Sequence, residues 1–454
     1  MRFIPNHESV QQAMLAEIGV PSIEALFDSI PEAVRLKRAL DIPPGMPEQD
    51  QLALFAGLAA KNRGANCTNF LGGGSYAHFI PLISDTLVQR AEFFTSYTPY
   101  QPEVSQGTLQ AIFEFQTFMT VLTGMDVANA SLYDGASATA EGILMADRLQ
   151  SSRKQDRHRV LLPATLHPYY RDVVETYTRF LPIELETVPA DADSGRMDMA
   201  ALGDMLGADV VCVLAQQPNL LGVIEDLSAI SAAAQAAGAL VVTTVTEALS
   251  LALLQPPGAA GADIVVGEGQ SLGVPVYYGG PYLGFMAARD AHKRQMPGRI
   301  AGLTEDTEGR RGFVLTLATR EQHIRRERAT SNICTNQNLV MLMALMYLTV
   351  MGRKGLREVA HHNVSLMAYF LSRLEGLPGY KRRHSGPVFN EVTVACPRPA
   401  GEVVRQCLAR ELVPGIDLGR FQPDWGDDLL VAVTEVNTKD EIDALIQALA
   451  EVAA

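Results

Sequence analysis

No long lysine or arginine run interrupts this chain. Its 454 residues hold 37 Lys and Arg against 51 Asp and Glu, a formal charge of −14. Nucleic acids and anionic membranes are held by local positive charge, so neither is an expected partner. Cysteine is sparse: Cys67, Cys212, Cys334, Cys396 and Cys407 are odd in number and scattered, with no CxxC pair and no histidine at zinc spacing. That pattern argues against a disulfide framework and a metal centre and leaves structural thiols, with Cys334, in a polar loop-to-helix stretch, the one to watch for redox chemistry. Nor do the nine histidines show metal spacing; His78, close behind a triple glycine, is the one placed nearest a candidate site. Met1 to Val10 is polar, without the basic start and apolar stretch of a secretory signal, so a mature start near Met1 and a cytoplasmic location are expected. The apolar run Leu339 to Met351 is too short for a bilayer and lies between Asn336 and Arg353, which reads as a buried helix with Met341, Met343, Met346 and Met351 in its core.

What the chain does have is core-forming material. A hydrophobic share of 47% over this length suits about two or three domains. Serine-started helical segments at Ser9 to Ile18 and Ser22 to Ser29, then a helix from Glu48 to Lys61 after the spacer Pro43-Pro44-Gly45-Met46-Pro47, predict an N-terminal helical arm over 1–62. Gly72-Gly73-Gly74-Ser75 marks a loop needing unusual backbone angles. Val210 to Leu214, a helix capped by Asp226 and ended by Gly238, and Ala239 to Val245 make a βαβ unit. These strands are apolar throughout, which predicts a parallel sheet covered on both faces. A large domain over 63–335 follows, with a polar loop expected at Pro297 to Arg311. From 336 to 454 the pattern predicts a long linking helix, weak at Gly352 to Gly355, and a small α/β region: strand Asn390 to Ala395, helix Gly401 to Glu411, strand Leu429 to Val433 and helix Thr438 to Val452.

Chemistry can be sought at three places. Ser131, Gly135, Ser137 and Thr139 lie in a small-residue turn before an apolar helix, a turn able to aim N–H groups and hydroxyls at a phosphate; a plain capped helix start is the alternative. This turn, a parallel sheet, a glycine-rich hairpin and a C-terminal α/β region follow one another in the order of the fold-type-I PLP-dependent transferase (aspartate aminotransferase-like) fold, an α/β class with a mostly parallel sheet. In that fold one strand supplies an aspartate to the pyridinium nitrogen of pyridoxal phosphate (PLP) and the next is followed by the Schiff-base lysine. Here Thr244 stands at the aspartate position, with Glu247 a turn too late, and Ser271 stands at the lysine position. Lys37, Lys61, Lys154, Lys293, Lys354, Lys381 and Lys439 are all elsewhere. A serine hydroxyl does not form an imine with an aldehyde, so no covalent cofactor is expected on this chain.

Several strings resemble one family: Tyr97-Thr98-Pro99-Tyr100-Gln101-Pro102-Glu103-Val104-Ser105-Gln106-Gly107, Asn129-Ala130-Ser131-Leu132, Gly261-Ala262-Asp263-Ile264-Val265-Val266-Gly267, Tyr278-Gly279-Gly280-Pro281 and Ala329-Thr330-Ser331-Asn332-Ile333-Cys334-Thr335. They are similar to the glycine cleavage system P-protein, in its alpha-chain form, from the arm to the C-terminal region. Thr246-Glu247 departs from the aspartate expected there. The resemblance implies an alpha subunit without the lysine, inactive alone, beside a homologous beta subunit that carries PLP, in an α2β2 assembly. It implies that glycine is decarboxylated on that PLP and that the aminomethyl group passes to the lipoyl arm of H-protein. Tyr97, Tyr100, Gln101, Glu103, Gln106, Thr330, Ser331 and Asn332 would then complete the wall of the partner's active site. The basic stretch His323 to Arg328 could meet an acidic surface. Two other readings stay open: a non-catalytic scaffold for the beta subunit or H-protein, and a self-contained PLP enzyme of another type.

Overall fold

A computed structural model describes residues 6–152, 157–277 and 279–453. Lys154 and Tyr278, named above, lie outside them. The chain divides into two compact units, Met1–Arg63 and Gly64–Ala454.

In the first unit, the helix Glu8–Ile18 starts at His7, whose ring accepts the Ser9 N–H, and stops at Gly19, whose φ of 83° suits glycine. The expected Ser22 to Ser29 helix shrinks to a single 3-10 turn, Glu24–Phe27, which Ser22 opens by accepting the Ala25 N–H on its hydroxyl. A further helix, Glu48–Ala59, follows Pro47 and buries none of its side chains.

The second unit is built on seven strands. Across the sheet they run Val127–Ala128, Gly284–Ala288, Ile264–Glu268, Leu240–Val245, Val210–Gln216, Arg159–Pro163 and Glu184–Val188. The last five pair in parallel, while Gly284–Ala288 is antiparallel to both its neighbours. Period-two alternation divides their apolar side chains between two cores. Leu161, Val213, Val241 and Val265 pack on one face. Val160, Leu162, Leu214, Val242, Ile264 and Val266 pack on the other. The absence of any polar face in these strands is thus explained: helices cover both sides.

The stretch Pro297 to Arg311, expected as a polar loop, instead opens an antiparallel hairpin of Ile300–Glu305 and Arg311–Thr316. Its turn is closed by Asp306, whose carboxylate accepts the N–H groups of Glu308 and Arg310. The helix Gln106–Thr123 secures the hairpin: the Gln106 amide bonds both the N–H and the carbonyl of Phe313, and Gln116 does the same for Ala301. The polar turn from Thr304 to Arg311 hides this hairpin in the sequence: few of its residues, Ile300, Ala301 and Phe313 among them, are buried, and two long-range glutamines complete its pairing.

The long helix runs Asn338–Leu374 and breaks at Gly352, with φ 58° and ψ −178°. It is the one described helix with the length and composition to cross a membrane. Its apolar first half, with Val340, Met341, Leu342 and Leu345, is buried in the main core. Beyond it a four-stranded sheet, Lys381–Arg382, Glu391–Ala395, Asp428–Ala432 and Ile416–Asp417, carries the helices Ala400–Leu408 and Lys439–Ala453 over a third core. Thr438 caps the last helix in a box with Glu441, each side chain bonding the other's N–H.

Candidate active site

Parallel strands end together, and their carboxyl edge is where an α/β sheet opens to ligands. Here the edge is made by His167 after one strand, by Gln216 and Glu268 at the ends of two others, and by Thr246 and Glu247 after a fourth. Asp134 and Gly135 bring the start of the helix Gly135–Ser152 to the same place. A cleft of about 640 Å³ lies over it, lined among others by Asp134, His167, Tyr169, Glu268, Tyr282 and Arg420.

The glycine loop is pinned across this edge. The Gly73 N–H donates to Glu391 Oε1 at 2.6 Å, and His167 Nε2 donates to the Gly73 carbonyl at 2.9 Å. His167 Nδ1 accepts the Tyr169 N–H, so the ring is neutral; burial pushes its pKa down to about 4. Gly73 and Gly74 take φ of 64° and 92°, and a Cβ on Gly72 would fall 2.0 Å from Glu391 Oε1, so the triple glycine is a requirement of backbone angle and close approach. Tyr76 follows, its N–H on Gln270 Oε1 and its hydroxyl on Glu391 Oε2. Burial lifts the Glu391 carboxyl to about 8.

His78 is a buried bridge. Its Nδ1 is 2.8 Å from Glu435 and its Nε2 is 3.1 Å from Glu247. Carboxylates only accept, so both ring nitrogens donate and the ring is an imidazolium. Burial by itself would lower its pKa, but the Glu247 and Glu435 carboxylates outweigh it and raise it to about 10. Glu247, the departure from the expected aspartate, therefore holds His78, and it also takes Asn390 and the Leu249 N–H.

The four residues of the proposed phosphate cup all face protein partners. The Gly135 N–H donates to Glu268 Oε2 at 2.9 Å. Ser137 is tied to Asp134 through its N–H and its hydroxyl, Thr139 Oγ1 sits 2.8 Å from the Gly135 carbonyl and 2.7 Å from Thr244 Oγ1, and Ser131 Oγ accepts from Asn336. Glu268 also accepts the N–H groups of Leu283 and Gln270. Burial pushes its carboxyl up to about 7 although these three donors hold it down. An added Cβ on Gly135 would lie 2.2 Å from the Tyr170 hydroxyl. Ser271 is buried, and among the described residues its hydroxyl has no hydrogen-bond partner. Among the described residues, no lysine lines the cleft. PLP does not fit these residues: a carboxyl of the chain's own takes the first N–H of the helix, Ser271 and Thr244 stand where the imine-forming amine and the pyridinium carboxylate are expected, and among the described residues no lysine reaches the cleft.

None of the eight candidate wall residues lines this cleft. Tyr97 and Tyr100 are 74% and 48% exposed, with Gln101 and Glu103 exposed beside them. Tyr100 meets the segment before Thr330 through His323, the rings standing edge-on at 5.5 Å. Ser331 donates to the buried Glu141 at 2.6 Å, the Thr330 N–H bonds the Arg320 carbonyl, and Asn332 is exposed. Cys334 is exposed, its N–H on the Tyr133 hydroxyl.

The sequence matches the family model of the glycine cleavage system P-protein over residues 1–449. The chain belongs to the glycine cleavage system P-protein family. It is 47% identical over 459 residues to the probable glycine dehydrogenase (decarboxylating) subunit 1 of Methylocella silvestris and 48% identical over 457 residues to that of Rhodospirillum centenum, each match spanning all of both chains. A crystal structure of glycine decarboxylase (P-protein) of the glycine cleavage system, in inhibitor-bound form, superposes with a TM-score of 0.89 at 42% identity over all of both chains. A sphingosine-1-phosphate lyase of Burkholderia pseudomallei shares the fold at 16% identity, with a TM-score of 0.67 over 93% of this chain and 94% of that one.

Sequence reasoning misses Glu268, Glu391, His167 and Tyr170. One signal for them is present: a glutamate ending an apolar, fully covered strand, as Glu268 does after Ile264-Val265-Val266, must find donors.

Proposed function

We propose that this chain is the alpha subunit of a split glycine decarboxylase, working in the cytoplasm beside a homologous beta subunit that holds PLP on its own lysine, in an α2β2 assembly. Glycine is the substrate, and the aminomethyl group goes to the lipoyl arm of H-protein. The observation that carries this reading is the Glu268 carboxyl on the Gly135 N–H, with the buried Ser271, three residues further on, in the lysine's place. A chain of this family whose own cleft is closed to the cofactor needs one from elsewhere. Exposed apolar surface supports a partner chain: Leu36, Ile42, Leu52 and Phe55 of the 1–63 unit are each more than half exposed.

PLP supplies the electron sink for loss of carbon dioxide. What this chain contributes is wall and shape: Tyr97, Tyr100, Gln101, Glu103, Gln106, Thr330, Ser331 and Asn332 line the partner's site and keep water from it. The domain reading that accompanies this is an arm over 1–62, a transferase-type body over 63–335 and a linking helix with the small region over 336–454.

The test is reconstitution. The isolated chain is expected to show no cofactor absorption trapped by borohydride, and to catalyse no glycine-dependent exchange of labelled carbon dioxide; with a lysine-bearing homologue and lipoylated H-protein, exchange appears. A trapped cofactor on one of this chain's own lysines would sink the reading.

A further inference from the structure

Arg299 is almost wholly buried, 2% exposed, and belongs to no part of the cleft. It stands just before the hairpin strand Ile300–Glu305, its own carbonyl accepting the Ala130 N–H at 2.8 Å. Its guanidinium joins the Tyr100 loop to Glu321 and Asn336, which lie on either side of the Thr330 to Asn332 segment in sequence. Nη2 donates to the Tyr100 hydroxyl at 3.0 Å, with the guanidinium carbon 5.3 Å from the centre of the Tyr100 ring. Nη1 donates to Asn336 Oδ1 at 3.3 Å, and the Asn336 amide in turn donates to Ser131. Glu321 is the counter-ion, 3.6 Å from Nε.

A buried arginine is costly unless paired, and replacing such a pair by apolar side chains is often neutral or better for stability. Folding alone is therefore a weak reason for it. The direction of its bond to Tyr100 supplies another. A phenolic hydroxyl carries one hydrogen. Because the Tyr100 oxygen accepts from Arg299, that hydrogen is not spent on the arginine, and it meets no acceptor among the described residues. A hydroxyl that accepts from a cation is polarised into a stronger donor.

We propose that Arg299 is a positioning residue for the decarboxylation: it fixes the Tyr100 ring and turns the phenolic hydrogen outward to an anionic oxygen bound by the partner subunit. Carboxylate and phosphate oxygens share the required chemistry. The proposal rests on the reading above that the Tyr97 to Gln106 loop faces the partner's site.

The experiment uses the reconstituted complex with lipoylated H-protein and compares Arg299→Met, Arg299→Lys, Tyr100→Phe and the Met/Phe double variant. Each of Arg299→Met and Tyr100→Phe is expected to lower kcat/KM about tenfold, and the double variant no further, since both remove one charge-assisted contact. Arg299→Lys should recover part of the loss. A higher KM for glycine at saturating PLP assigns the acceptor to the substrate carboxylate; weaker PLP retention at unchanged glycine KM assigns it to the cofactor phosphate. The proposal is overturned if Arg299→Met lowers only the melting temperature while the assembled complex keeps wild-type kinetics, or if the two losses multiply. Tyr97→Ala, which removes a side chain with no Arg299 contact, separates the two levels: if it changes the kinetics and Arg299→Met does not, only the Arg299 role fails; if no wall variant changes them, the wall reading fails as well.

Discussion

The Glu268 carboxyl and the Gly135 N–H meet at 2.9 Å across 133 residues of sequence, and this contact sets one of the chain's own acids against the start of a helix. The start of a helix favours an anion because its first N–H groups lack partners and its dipole is positive there. Glu268 satisfies one of those groups internally.

Restoring the lost amine is then insufficient. Ser271→Lys is expected to leave the chain unable to retain PLP through gel filtration, because Glu268 still holds the cup and Thr244 still faces Thr139. The variant should also melt at lower temperature, since Ser271 is buried and a longer, charged side chain must be accommodated there. An aldehyde-derived absorption band that survives filtration is the contrary result.

The helix start has no spare room. Gly135→Ala would bring a Cβ to 2.2 Å from the Tyr170 hydroxyl and 2.9 Å from the Glu268 Cβ. Overpacking of this kind costs about 2 kcal/mol or more, readable in denaturant unfolding of the isolated chain. An unchanged midpoint would show that Tyr170 can swing aside.

Stability should fall toward alkaline pH through His78. Its pKa is raised in the folded state, so its contribution is fully present below the unfolded value of about 6.5 and is lost as pH rises through about 10. His78→Gln should lower the melting temperature at pH 7, where Glu247 and Glu435 lose their cation, and should flatten the dependence between pH 7 and 10. Parallel melting curves for the two proteins across that window would count against an imidazolium at this position.

The exposed wall can be tested without touching Arg299. Tyr97 is 74% exposed, so Tyr97→Ala should leave the melting temperature of the isolated chain within about 1 kcal/mol of wild type in free-energy terms. In the assembled complex it should lower turnover several-fold. A loss of stability without loss of turnover is the opposite outcome.

Much of the fold is legible in local stretches of the chain. The helix Leu227–Ala236 with its Asp226 cap, the strands Val210–Gln216 and Leu240–Val245, and the break at Gly352 all follow from local rules of capping, period and glycine conformation. The hairpin after Arg299 does not, because Gln106 and Gln116 hold it through bonds to residues about two hundred positions away. Small residues from Ser131 to Thr139 mark a helix start, but nothing in their order shows that Glu268, Asp134, Thr244 and Asn336 are their partners.

By itself, the sequence determined what the chain lacks and what it resembles: no lysine at Ser271, no aspartate at Thr244, strands apolar on both faces, and family strings from Tyr97 to Thr335. These are properties of residues in order, and order is enough for them. Only the tertiary structure decided which acids meet which donors: Glu268 with Gly135, Glu391 with Gly73 across 318 residues, and His78 between Glu247 and Glu435. A buried carboxylate must be paired, but spacing along the chain does not choose its partner; that choice is made when the sheet edge, the glycine loop and the C-terminal strands are packed together.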